Sequence, residues 1–230
     1  MDAILRHLFA LQDPACRRRE DYRLFQARIL CVPADGIIGV RTPALRAYAK
    51  ELEGTPAAER FLRRLPHRYH EEKQLHAYLI GQCRDFDTVI ARLDAFLPHV
   101  DNWATCDSMN ARVFRRRLPD LLPHLRAWLA SPLPFTRRYA MEQLMCCALD
   151  APAFRPEYLD WVAADRSEPY YVRMMVAWFF ATALAKQWDA ALPFLRDRRL
   201  PPWAHAKAIQ KACESFRIPP ARKACLRTLR

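Results

Sequence analysis

A chain of 230 residues, 52% hydrophobic and 27% charged, can bury one sizeable core or stack an array of small helical units, which excludes a disordered polyelectrolyte and a stapled miniprotein. No apolar run approaches the ~18 residues of a bilayer span, and the amphipathic start from Met1 to Phe9 lacks the apolar core and cleavage site of a secretory signal, so a soluble, cytoplasmic protein is expected. The formal charge of +12, from 37 Lys and Arg against 25 Asp and Glu, calls for an anionic partner, either nucleic acid or an acidic membrane surface.

The four glycines and eighteen prolines punctuate segments whose apolar residues recur every three or four positions, the pattern of helices joined by short turns. The predicted helices are 2–12, 15–30, 42–53, 56–65, 70–82, 85–97, 101–115, 118–130, 134–149, 153–164, 168–186, 188–196, 202–215 and 219–229, with no strand. Thr42-Pro43 and Thr55-Pro56 each pair a capping residue with proline at the first helical position; Asp101, Ser131 and Ser167 are further caps or pre-cap turns. Helix pairs of about 40 residues fit a HEAT-like solenoid in one domain, 1–230, an all-α superhelix with a concave basic groove. An ordinary helical bundle is the alternative that periodicity leaves open.

Along such an array Trp103, Arg138 and Trp178 stand 35 and 40 residues apart and would share one surface. The eight cysteines have neither C-x-x-C nor zinc spacing and read as reduced core residues; Cys106 as a nucleophile has no histidine at a telling distance.

Chemistry concentrates in Asp101-Asn102-Trp103-Ala104-Thr105-Cys106-Asp107, where one helical turn sets the Trp103 indole and the Asp107 carboxylate on one face. A carboxylate stabilises a developing cation, and a flat aromatic packs on a sugar or a cationic base. Pro134 to Met141 places Arg137 and Arg138 in a first helical turn, against the helix dipole, so either both are solvated or a phosphate or a carboxylate such as Asp107 offsets them. The run Tyr170 to Phe180 is apolar nearly all round and must be mostly core, and Lys186 falls roughly on the face of Trp178, as in a groove that combines stacking with phosphate contact.

These residues carry a resemblance over nearly the whole length. The turn Gly36 to Pro43, Tyr69-His70-Glu71-Glu72-Lys73, the Trp-x-x-x-Asp of Trp103 and Asp107, Phe135 to Ala140, the Tyr171 to Trp178 helix and Ala208-Ile209-Gln210-Lys211 together resemble the AlkD-type DNA alkylation repair glycosylases, a group with HEAT-like repeats. The resemblance implies a monomeric enzyme that removes cationic N-alkylated purines, of the 3-methyladenine and 7-methylguanine type, from duplex DNA in base excision repair. It implies no metal and no cofactor. By position it makes Asp107 the catalytic carboxylate, Trp103 and Trp178 aromatic walls, and Arg138 the companion arginine; Arg137, Arg173, Lys186, Arg41 and Lys211 are the expected DNA contacts. Asn102 and Phe135 stand where the family pattern has tryptophans, closer to the wording of a sister branch, which leaves a catalytically silent DNA-structure binder as the alternative.

Overall fold

The computed structural model describes residues 3–230, and every regular element among them is helical; the first residue of the expected helix 2–12 lies outside the described residues. One isolated antiparallel bridge, between Gln12 and Val40, forms without any strand. The chain divides into two compact units, one up to Val113 and one from Phe114 to Arg230. No helix among the described residues is long and apolar enough to cross a membrane.

In the first unit the helices are α1 (Ala3–Ala10), α2 (Pro14–Arg18), α3 (Glu20–Leu30), α4 (Thr42–Leu52), α5 (Pro56–Arg63), α6 (His70–Gln82), α7 (Phe86–Phe96) and the four-residue α8 (Trp103–Cys106). α6 is the hub, packing on α1, α4, α5, α7 and α8, and therefore buries polar as well as apolar positions: Glu71, Glu72, Gln74 and His76 sit inside beside Leu75, Leu79 and Ile80. The second unit holds α9 (Leu118–Leu129), α10 (Pro134–Cys147), α11 (Glu157–Ala163), α12 (Tyr170–Lys186), α13 (Trp188–Arg196), α14 (Pro202–Glu214) and α15 (Pro220–Thr228). Here α12 lies between α10 and α14, while α9, α11 or α13, and α15 cover the members of that row. Alternate helices forming an inner row, each backed by its chain neighbour, is the all-α helical-repeat arrangement the sequence predicts.

Several expectations change in detail. The helix expected over 15–30 breaks at Arg19, whose extended backbone (φ −122°, ψ 104°) separates α2 from α3. Thr42 is already helical, with Arg41 at its cap position, whereas Thr55 caps α5 as expected by accepting from the Ala58 amide at 3.2 Å. The helix expected over 101–115 stops at Cys106, because Ser108 Oγ donates to the Ala104 carbonyl (2.6 Å) and Asn110 Nδ2 to that of Asp107 (3.3 Å), local bonds that compete with further helix. The eight cysteines are thiols, but only Cys16 and Cys106 are buried; Cys31 and Cys225 are exposed.

The two landmark segments of the first unit lock together through one carboxylate. Glu71, on α6 and almost fully buried, accepts from the backbone amides of Ile38 (2.9 Å), Gly39 (2.6 Å) and Val40 (3.3 Å). Burial raises the Glu71 pKa and these three amides pull the other way. The held turn admits only glycine at 39: φ is +91°, and a Cβ there would lie 2.2 Å from Cys16 Sγ. Glu71→Ala orphans two buried donors and one part-buried donor and is expected to cost about 3 kcal/mol, read by urea unfolding. A loss below about 1 kcal/mol would show that the turn holds itself.

Candidate active site

α8 exists because Asn102, fully buried, caps it: the Asn102 carbonyl oxygen accepts from the Thr105 amide at 2.9 Å, and its amide group donates to Asp101 at 2.9 Å. Asp101 in turn pairs with Lys73 of α6. As a buried cap, Asn102 is not part of an open aromatic wall. Trp103, the first residue of α8, donates its indole N–H to the Ile29 carbonyl in the last turn of α3, at 3.0 Å, so the ring is tethered to a segment 74 residues away. Asp107 occupies the C-cap, its amide donating to the Trp103 carbonyl at 2.9 Å and its side chain half-buried. The backbone of Trp103 and Asp107 is thus joined across one helical turn, as their four-residue spacing requires. Cys106 between them is wholly buried, which removes it as a nucleophile.

Next to this turn, a cavity of about 250 Å³ is lined by Pro33, Asp35, Arg68, His70, Lys73 and Asp101 among others. Its cations are matched, Lys73 by Asp101 and Arg68 by Asp35 at 3.8 Å, and Asp107 does not line it.

In the second unit Arg138 is buried, 4% exposed, and donates Nη1 to the Tyr171 carbonyl at 2.9 Å, joining α10 to α12. Arg137 lies 3.6 Å from Asp165, the carboxylate that offsets the first turn of α10. Trp178 is on the partly open face of α12, 36% exposed. Arg173 reaches Glu168 at 3.6 Å and stands 5.0 Å above the Trp203 ring, with Tyr170 edge-on to Trp203 at 5.7 Å. Lys186 pairs with Asp150 at 2.8 Å, Arg41 of the first unit pairs with Asp13, and Lys211 is half-buried on α14. The four residues assigned to chemistry therefore fall two in each unit, Trp103 and Asp107 in the first, Arg138 and Trp178 in the second.

Tyr170 and Trp203 were not among the expected contacts, although they give the second unit an aromatic and cationic surface around Arg173. Their signal is the doublet Tyr170-Tyr171 ahead of Arg173, and a tryptophan directly after Pro201-Pro202.

The family model for the DNA alkylation repair enzyme matches residues 4–212, from the second described residue of α1 into the last turn of α14. The chain belongs to that family. Membership gives this DNA alkylation repair protein a role in alkylation repair, with DNA as its partner. No curated protein matches the chain. Within the matched span lie all the expected site residues of the family member, including Arg41 near one end and Lys211 at the other.

Proposed function

We propose that this protein is a monofunctional DNA glycosylase that excises cationic N-alkylated purines, of the 3-methyladenine and 7-methylguanine type, from duplex DNA in the cytoplasm. The observation that carries the reading is the turn Asn102 to Asp107, in which a capped helix, tethered through the Trp103 indole, carries an aromatic residue at its first position and a carboxylate at its C-cap. An N-alkylated purine already bears the positive charge that makes it a leaving group. When the N-glycosidic bond breaks, its electron pair goes to the base and neutralises it, and the positive charge moves onto the C1′–O4′ unit of the sugar. Asp107 stabilises that oxocarbenium-like centre and orients the water that adds to C1′; the water then gives up a proton, leaving an abasic site. The Trp103 ring packs on the sugar. Trp178 and the Arg173, Tyr170 and Trp203 group supply contacts to DNA from the second unit.

The test is release of free 3-methyladenine and 7-methylguanine from methylated duplex DNA, with abasic sites counted on the same samples. Equal amounts of free base and abasic sites, without added metal, are expected. Tight DNA binding with no release would replace this reading by the silent DNA binder that the sister-branch wording of Asn102 and Phe135 favours.

A further inference from the structure

Phe216 is 91% exposed, far beyond the next most exposed large apolar side chain among the described residues, Phe25 at 60%. It lies in the turn between α14 and α15, four residues past the end of the family match. The turn is fixed at both ends. Its entry is closed by the Ser215 amide on the Lys211 and Ala212 carbonyls (3.1 and 3.2 Å), and Ser215 Oγ accepts from the Arg217 amide at 3.2 Å. Its exit is held by Ile218, only 2% exposed, with Pro219 and Pro220 starting α15 at once. The ring is thus presented on a braced support, the condition under which a contact costs least in ordering. The Arg217 guanidinium stands 5.7 Å from its centroid. Around it residues 207–230 carry seven Lys and Arg against the single acid Glu214, which Gln210 Nε2 engages at 2.8 Å.

A lone exposed leucine needs no explanation, but a phenylalanine held almost wholly in solvent within a strongly basic segment matches a ligand that has both a flat π-face and anionic linkers. We propose that Phe216 is a nucleobase-stacking tip: it stacks on an unpaired base of bound DNA while Arg217 and the cations of α14 and α15 lie against the flanking phosphates. This inference rests on DNA as the partner, and not on the glycosylase step.

The experiment measures binding of the full chain, Phe216→Ala and Phe216→Trp to a single-stranded oligonucleotide and to the fully paired duplex at one salt concentration, with tryptophan emission followed for Phe216→Trp against Phe216→Ala. Phe216→Ala is expected to weaken single-strand binding about tenfold and duplex binding by no more than about twofold. Phe216→Trp restores the affinity, and its added emission is quenched on saturation. Unchanged single-strand affinity in Phe216→Ala, or unquenched added emission in Phe216→Trp, overturns the proposal, as does Phe216-dependent self-association without a DNA effect. The two readings separate cleanly: base release failing while the Phe216 pattern holds removes only the glycosylase chemistry, whereas no binding to either DNA at low salt removes both.

Discussion

Asp107→Asn is expected to lower release of methylated purines by about 10²- to 10³-fold, roughly 3–4 kcal/mol of transition-state stabilisation, while DNA affinity changes by less than about twofold. The substitution keeps the size and most of the hydrogen-bonding capacity of the side chain and removes its charge. An anion at a helix C-cap is not there for the helix, whose C-terminal end favours cations, and α8 is closed by backbone bonds that asparagine leaves intact. The bonds that close α8 therefore do not depend on this charge. Single-turnover release at saturating DNA isolates the chemical step, and a parallel binding titration isolates affinity. Wild-type release by Asp107→Asn would sink the carboxylate mechanism; loss of release together with loss of binding would show that Asp107 builds the surface and does not act on C1′. Trp103→Phe provides the complementary arm. It keeps a ring but breaks the tether to Ile29, so release should fall more than melting temperature does if the tether positions the ring.

How far this site can be read from sequence depends on how local each interaction is. Trp103 and Asp107 are four residues apart, so helix geometry alone places them on one turn, even though the helix is far shorter than its apolar spacing implies. The run around α12 is apolar on every side and announces its own burial. α6 does not: His70-Glu71-Glu72-Lys73 reads as the solvated start of a surface helix, and Glu71 is buried only because its carboxylate holds amides more than 30 residues earlier. The same holds for the arginine pair on α10. The dipole argument asks for an anion near Arg137 and Arg138, but which group answers is decided by Asp165 and the Tyr171 carbonyl, 28 and 33 residues on. Arg41 and Lys186, counted in sequence among the DNA-facing cations, are paired with Asp13 and Asp150 for equally nonlocal reasons.

The first unit is expected to lose stability steeply as pH falls from about 6.5 toward 4, and the cause is a stack of buried histidines. His67 Nε2 and His76 Nδ1 share a hydrogen bond at 2.8 Å; His67 stacks on Phe61 at 4.4 Å and His76 on Phe96 at 3.9 Å. Burial, reinforced by Arg64, Lys73 and His99, lowers the His67 pKa to about 4, and burial with His67 and Arg92 lowers that of His76 to about 2. His70, on the same helix, is lowered to about 4, again by burial first. Glu72 lies 4.0 Å from His67 Nδ1 and would favour a cation there, but its carboxylate is already engaged by Arg64 at 3.2 Å and by the Tyr69 amide at 3.1 Å. The folded state thus keeps these rings neutral while the unfolded chain protonates them near 6.5. Their contribution is complete above that pH and is lost on acidification, at about 1.4 kcal/mol per pH unit for each ring, or about 2 kcal/mol each by pH 5. Glu71, whose pKa is raised, works in the opposite sense and cannot produce this acid loss. Three such rings approach the whole stability of a small domain, about 5–15 kcal/mol. The check is the urea midpoint of the wild type and of a His67→Phe, His76→Phe double variant between pH 7.5 and 4.5. Replacing both hydrogen-bond partners by rings of similar shape leaves no orphaned group, so the variant should fold and show a slope shallower by about two protons. A flat wild-type profile, or an unchanged slope in the double variant, would mean that the histidines stay solvated enough to charge within the fold.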